Sequence, residues 1–351
     1  MKGIHGLIKG IPEGYEKACF ETGAIKRKRE ISEPSDLLYL CLLHLINGCS
    51  LIEIAEIARL TQIGEFSDVA FMKRFQQCKK WFEWINERIR PKEVIEYGMP
   101  EWLSQYRVLS IDASDVKEKG RSQRVYRLHY ALDVFHANTV QFKITTNKTG
   151  DGLSNFSFQK DDLVLADRAY STVVGMKHCI DQGASFIARV RTTGANLYDQ
   201  EERVIDLLSY MQTHEDGEIS GHLKGKNKTP IPVRVCFRRK TKEQIDDTVK
   251  RLKDIARRKK KNLQKKTLEF NEFIVLITNL PETIKADSVL SLYRLRWQVE
   301  IYFKRLKSIL DYGELPKKTE ESALSWLNGK IMVALLLEQF MSESLFSPEE
   351  S

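Results

Sequence analysis

Three acidic residues stand far apart in the chain but at positions where they could share a site: Asp112, Asp167 and Glu300. Asp112 closes the short apolar run Val108–Ile111, and Asp167 closes Leu163–Ala166, so each is expected at the C-terminal end of a short buried strand. In open α/β sheets that edge is where ligands bind. Two carboxylates on adjacent strands there repel each other unless one is protonated or a cation bridges them. Oxygen-rich sites of this kind suit Mg²⁺ or Mn²⁺, and a third carboxylate would complete a two-ion centre able to cleave phosphodiesters. Simpler readings exist for each residue alone. Asp112 could cap the turn at Ala113-Ser114-Asp115, Asp167 could pair with Arg168, and Glu300 could be an i,i+4 partner of Arg296 or Lys304.

The third carboxylate lies in a segment expected to be one long helix, from about Asp287 to Leu310, ended by Gly313 and Pro316. At about 100° per residue from Tyr293, Arg296 falls near 300°, Glu300 near 340° and Lys307 near 320°. A Tyr-Arg-Glu-Lys row therefore shares a narrow arc, beside an apolar arc of Leu292, Leu295, Val299, Phe303, Leu306 and Leu310. A carboxylate flanked by two cations and a phenol fits a metal ligand next to phosphate-holding groups.

The elements that would position these residues follow the chain. An arm over residues 1–30 ends in Lys26-Arg27-Lys28-Arg29. An apolar helix follows from Pro34 to about Asn47. A second, capped by Ser50, is expected to bury Ile52, Ile54, Ala55, Ile57, Ala58 and Leu60. A third, capped by Ser67-Asp68, carries Phe71 and Phe75 and continues toward Trp81 and Trp84. Capped helices with Lys73 and Arg74 exposed are compatible with a DNA-binding helix-turn-helix, and equally with a packing scaffold. From Tyr106 the period changes to strands at 108–111, 124–134, 140–145, 163–166 and 185–190. A loop or short helix is expected at Thr149–Asn155, and a helix from about Thr172 to Gln182 stops at Gly183. This order describes a mixed α/β sheet. Residues 191–280 interrupt it with a turn-rich Gly217–Pro232, a strand at 233–238, a basic helix from about Lys242 to Lys266, and a strand at 273–278 closed by Asn279-Leu280-Pro281. Leu324–Phe340 is a last apolar helix, suited to packing or dimer contact.

Charge points to a polyanion. The chain of 351 residues carries 56 Lys/Arg against 48 Asp/Glu, a net +8. Residues 224–266 alone hold 18 Lys/Arg and 4 Asp/Glu, which leaves the remainder net acidic. A concentrated basic stretch suggests nucleic acid. No apolar run approaches the ~18 residues of a membrane-spanning helix, and the N-terminus lacks a signal-peptide core, so a cytoplasmic location is expected. Six scattered cysteines without a CxxC pair suggest reduced thiols rather than a disulfide framework or zinc site. A phosphate-cradling GxxxxGK[ST] loop, an HExxH motif and a nucleophile elbow are all lacking.

The row Tyr293-x2-Arg296-x3-Glu300-x6-Lys307, within YRLRWQVEIYFKRLKSIL, resembles the Tyr-Arg-Glu-Lys signature of bacterial insertion-sequence transposases of the DDE superfamily. Ser110-Ile111-Asp112 looks like that family's first-Asp strand, and Ala166-Asp167-Arg168-Ala169-Tyr170 like its second-Asp segment. Leu276–Pro281 also fits, and the resemblance covers roughly residues 35–345. It implies a ribonuclease-H-like mixed-sheet core interrupted by a mostly β insertion, with an N-terminal helical domain and C-terminal helices. The implied boundaries are 1–100 for the helical, DNA-binding domain, 101–190 for the first part of the core and 191–280 for the insertion. The Glu helix would take 281–318, and 319–351 would form a packing or dimer helix.

The implied activity is cut-and-paste DNA transposition. By the resemblance, Asp112, Asp167 and Glu300 hold two Mg²⁺, with Mn²⁺ a possible substitute. Tyr293, Arg296 and Lys307 grip phosphates near the cleaved end, and Arg168 and Tyr170 belong to the same DNA-binding set or hold the second-Asp loop in shape. The implied partners are double-stranded DNA, both terminal inverted repeats and target, and a second copy of the chain in a synaptic complex at the nucleoid. The alternative is a catalytically silent, transposase-derived DNA-binding or assembly protein. Two departures stand out. Ala113 occupies a position where many relatives have Gly. Some relatives stack a flipped base on a tryptophan of the insertion while forming a hairpin, yet all five tryptophans here lie outside it, which leaves Tyr198 or Phe237 as substitutes.

Overall fold

The computed structural model describes residues 6–89, 99–120, 123–191, 196–225, 229–310, 314–315 and 319–346, apart from the side chains of 305–306, 308–310, 314 and 341–346. The chain divides into two compact units. One comprises Met1–Ile95, Ser114–Arg127 and Tyr302–Ser351; the other comprises Glu96–Ala113 and Leu128–Ile301.

The first unit is mainly helical. It contains α1 (Tyr15–Glu21), α2 (Pro34–Ile46), α3 (Leu51–Leu60), α4 (Asp68–Gln77), α5 (Lys79–Asn86) and the long C-terminal α12 (Glu320–Phe346). The helix starts follow local chemistry. Ser50 accepts from Glu53 N while Glu53 returns a bond to Ser50 N, and Ser67 accepts from Ala70 N. The expected third helix is broken at Cys78 into α4 and α5. On α3 only Ile54 and Ala58 are buried, while Ile52 and Leu60 face solvent at 70% and 67% exposure, so the apolar side read from sequence is wider than the one used. The apolarity of α12 has a simple cause, since it packs against α5, α2 and α4. Polar groups serve that packing: Asn86 Nδ2 of α5 donates to Asn328 O, while on α12 Ser325 Oγ donates to Gln76 O and Lys330 Nζ to Leu45 O. Gly329 permits the close approach, because a Cβ there would stand 2.6 Å from Leu45 Cδ1.

The sheet runs in the order β3-β2-β1-β4-β5-β8-β7-β6, with a short β9 (Glu314–Leu315) paired to the far end of β1. The strands are β1 (Arg107–Glu118), β2 (Arg124–Asp133), β3 (Asn138–Thr146), β4 (Asp162–Ala166), β5 (Ser185–Arg189), β6 (Asp216–Lys224), β7 (Pro230–Arg239) and β8 (Phe273–Thr278). β1, β4 and β5 are parallel to one another; β8, β7 and β6 continue the sheet in antiparallel fashion. The stretch Gly217–Pro232, read as turns because of its glycines and prolines, instead contributes β6 and the start of β7. Cross-strand pairing overrides the local turn signal there.

Strand alternation divides the core between two faces. Leu109, Ile111, Val164, Ala166, Phe186 and Ala188 belong to one apolar cluster. Val108, Leu163, Leu165 and Ile187 belong to the other, together with Leu280, Ile284, Val289, Leu290 and Leu292. The second face is covered by α10 (Ala286–Leu292). Buried Arg234 fastens the segment leading to that helix, through Nε to Leu280 O, Nη2 to Ile284 O and an ion pair with Glu218. On the first face lie α6 (Val173–Asp181), through Met176 and Cys179, and α7 (Leu207–His214), through Leu208 and Met211. The basic segment forms two helices, α8 (Lys242–Arg258) and α9 (Lys265–Phe270), rather than one. The expected long Glu helix is also divided. A 3₁₀ turn, Tyr293–Arg296, separates α10 from α11 (Trp297–Leu310).

Candidate active site

Asp112 does not end its strand, as the sequence suggested, but lies midway along β1, which outruns its neighbour. The relation to β4 is what matters. Val108 pairs with Leu163 and Ser110 with Leu165, and extending that parallel register by two further pairs sets Asp112 beside Asp167, which directly follows β4. Alternation then fixes the face. Val108, Ser110 and Asp112 point one way, as do Leu163, Leu165 and Asp167, and this is the face covered by α10. Far from the carboxylates, at the other end of the same two strands, Arg107 grips the buried Asp162 in a two-pronged pair at 2.8 and 3.0 Å and pins the register.

The 3₁₀ turn is bolted to both strands. Ser110 Oγ donates to Arg296 O at 2.7 Å, and Tyr293 Oη donates to Ala166 O at 3.2 Å. Tyr293 and Arg296 therefore sit over the two residues that precede the aspartates in space. Arg296 is buried, and its Nη2 bonds Glu300 Oε1 at 2.6 Å. Its Nε is buried and makes no hydrogen bond. The Tyr293 hydroxyl is spent on the backbone, so this residue fixes the turn. Because residues 293–296 follow 3₁₀ geometry, the 100° ruler does not hold across the first turn of the row. Lys307 is exposed, further along α11.

Burial dominates the electrostatics of the site. Asp112 is pushed up to about 6, first by burial and then by Glu300 and Asp167, against the opposing pull of the Ala113 N–H and Arg296. Arg296 loses from burial but gains from Tyr293, Glu300 and Asp167, and its pKa rises. Burial raises Tyr293. In kind, this donor set suits a hard divalent cation, which would relieve the repulsion on Asp112. Its present arrangement is open: among the described residues, no three His, Cys, Asp or Glu side chains stand close enough to hold one ion, and Glu300 is turned onto Arg296.

Arg168 opens the short 3₁₀ turn Arg168–Tyr170 immediately after Asp167. Tyr170 is 1% exposed and packs near Phe156 within the core, while its amide bonds Asp167 O, so it shapes the second-Asp segment from beneath. The stacking candidates of the sequence are engaged. Phe237 is fully buried, and Tyr198 stacks on His222 with Lys224 Nζ over its ring. Three cations that the sequence reading did not single out, Arg189, Lys240 and Arg251, act electrostatically on the surroundings of Arg168. Ser110 was likewise noted only as part of a motif; its place two residues before Asp112 on the same face was the available signal.

Comparison with known proteins identifies the family of the chain. The chain is 28% identical over 351 residues to the putative transposase InsL of insertion sequence element IS186A from Escherichia coli (strain K12), covering 97% of this chain and 94% of that one. It is 28% identical to the transposase of insertion sequence element IS421 from Escherichia coli over the same shares. The transposase of IS231F from Bacillus thuringiensis subsp. israelensis is 22% identical, with 94% of this chain and 77% of that one covered. The transposase DDE domain family matches residues 103–336, which include Asp112, Asp167, the 3₁₀ turn and Glu300. The chain thus belongs to the transposase DDE domain family.

Proposed function

We propose that the chain moves an insertion sequence by cut-and-paste transposition, using a ribonuclease-H-like core whose acidic triad is Asp112, Asp167 and Glu300. The observation that carries this reading is the parallel register of β1 and β4, which when carried on by two pairs brings Asp112 level with Asp167, with the Arg296–Glu300 unit anchored to the same strands through Ser110 and Tyr293. The three carboxylates would hold two Mg²⁺, or Mn²⁺ in substitution. Such ions supply charge that stabilises both the attacking and the leaving oxygen in phosphoryl transfer. The protein's own contribution is placement. β1 and β4 hold two carboxylates side by side, and Tyr293 fixes the turn that carries Arg296. The unsatisfied Nε of Arg296 is a buried donor awaiting an acceptor such as a phosphate oxygen. Arg168 and Lys307 add positive charge for DNA, and Tyr170 holds the loop of Asp167. Without a bound cation, burial pushes the Asp112 carboxyl up to about 6, so a divalent ion binding there would displace a proton below that pH.

The N-terminal helices are assigned to DNA binding. Support comes from a cleft of about 640 Å³ between the basic arm and α4, where Lys26, Arg27, Arg29, Lys73 and Arg74 outnumber Glu30 and Glu65. The partners would be the element's terminal repeats, target DNA and a second copy of the chain in a synaptic complex. Among the described residues no helix is long and apolar enough to cross a membrane, and action at the nucleoid fits this chemistry. The test is cleavage of DNA bearing the terminal repeats in Mg²⁺. Asp112→Asn and Glu300→Gln should bind those ends as the unaltered chain does and fail to cut them; cutting at the unaltered rate by either variant rejects the triad.

A further inference from the structure

We propose that Arg191 is a positioning residue for Asp167: its guanidinium holds the turn after β4 from outside, and so leaves the Asp167 carboxylate unspent for the active site. What Asp167 then does rests on the triad reading above; the hold itself rests on hydrogen bonds and strand register. Asp167 occupies the N-cap of the 3₁₀ turn Arg168–Tyr170. An aspartate in that place commonly accepts from the amides of its own turn and so secures it. Asp167 makes no such side-chain bond. Other groups secure the turn. Arg191 Nε donates to Arg168 O at 2.7 Å and Nη2 donates to Ala169 O, so one rigid fork takes two successive carbonyls. Before Asp167, Tyr293 Oη donates to Ala166 O at 3.2 Å. After it, Arg168 Nη2 donates to the side-chain oxygen of Asn271 at 3.2 Å. The main chain is thus gripped on both sides of Asp167 by side chains from distant segments.

Strand register puts Arg191 in reach. β4 and β5 pair in parallel from Leu163 and Ser185 to Ala166 and Ala188. Carried on by three pairs, that register brings Ala169 level with Arg191. Beyond Arg189, which pairs with Leu276 of β8, Val190 N donates to Val275 O at 3.0 Å and keeps the segment in line. Arg191 is half-buried. Among the described residues it forms no ion pair, and its bonds go to main-chain carbonyls. A planar fork suits two carbonyls at once, which a single ammonium does not. Without it, Arg168 O and Ala169 O lose their guanidinium donors and the turn loosens. Asp167 is then able to fold back as an ordinary N-cap, and a carboxylate spent on amides is withdrawn from a cation. Removing an outer contact that orients a metal ligand costs about 10- to 100-fold in metal affinity.

The test uses the full chain without DNA. Mn²⁺ binding is followed by electron paramagnetic resonance, and amide hydrogen exchange by mass spectrometry. Asp167→Asn sets the loss expected when the ligand itself is removed. Arg191→Gln and Arg191→Lys should each weaken Mn²⁺ binding by about 10- to 100-fold. In both, exchange over residues 168–172 should quicken by about tenfold or more, with β4 unchanged. Lysine keeps the charge and loses the fork, so it should not rescue. Mn²⁺ affinity restored in Arg191→Lys overturns the proposal, as does unaltered affinity in Arg191→Gln. Equal quickening in β4 also overturns it, because Arg191 would then support the sheet and not the turn. If Arg191→Gln fails to fold, Arg191→Lys carries both measurements. The two readings fail separately. Asp167→Asn without effect on Mn²⁺ binding would sink the triad and leave exchange to decide the hold of Arg191 on the turn. Weakened binding in Asp167→Asn beside unaltered binding in both Arg191 variants would sink this proposal alone.

Discussion

Ser110→Ala tests whether the strand carrying Asp112 positions the turn carrying Arg296. Ser110 is fully buried, and its hydroxyl donates to Arg296 O at 2.7 Å. Removing it deletes one hydrogen bond and leaves a buried carbonyl without that donor, a loss of about 1–3 kcal/mol. The loss falls on the contact between β1 and the 3₁₀ turn, so it should appear as easier local opening. Amide hydrogen exchange over residues 292–300 should quicken by about 5- to 150-fold, since about 1.4 kcal/mol is a factor of ten. Exchange in β4 and β5 should stay unchanged. End cleavage should fall by up to about 100-fold, the effect of displacing a reacting group by ~1 Å, while DNA binding persists. If exchange over 292–300 is unaltered and cleavage is normal, the Ser110 bond does not position the site, and the geometric argument for Glu300 loses its anchor.

Asp112→Asn should stabilise the protein while abolishing cleavage. The folded-state pKa is raised to about 6 from 3.8, so the folded form binds the extra proton and loses stability as pH rises through that window, by roughly 3 kcal/mol at most. Thermal melting of Asp112→Asn should therefore exceed that of the unaltered chain at pH 7.5 and match it near pH 4; no gain at pH 7.5 would refute the cost of burying the Asp112 carboxylate. Cleavage by the unaltered chain should drop below pH 6, as a pH–rate profile will show. Arg107→Met strands Asp162, 1% exposed, and should cost about 3–5 kcal/mol in denaturant unfolding of the sheet-containing unit, with Arg107→Met/Asp162→Leu recovering part of it. Gly329→Val forces a side chain onto Leu45 and should destabilise the helical unit by about 1–3 kcal/mol, read by the exchange rates of α2 and α12 amides.

Much of the framework was legible because local chemistry and final structure agree. The buried strand 163–166, the Thr172-capped helix stopped at Gly183, the β8 run 273–278 and the Ser50 and Ser67 caps each carry their own signal in side-chain period or hydrogen-bonding type. The mixed α/β class was legible for the same reason. Other features resisted. β6 hides beneath turn-forming residues because its order comes from its pairing with β7. The width of the buried stripe on α3 depends on what packs there. The break at Tyr293–Arg296 has no proline or glycine to announce it; the bonds from Ser110 and Tyr293 to backbone carbonyls accompany it.

By itself the sequence determined which groups are available: three carboxylates, a Tyr-Arg-Glu-Lys row and a basic stretch, each tied to its own helix or strand by short-range preferences. Only the tertiary structure decided how they meet. Register sets Asp112 beside Asp167, the 3₁₀ turn hands Glu300 to Arg296, and Asn271 gathers Arg168 with Lys240 across 103 and 31 residues of chain. Such meetings depend on strand pairing and packing between distant segments, whose energies no local window of residues contains.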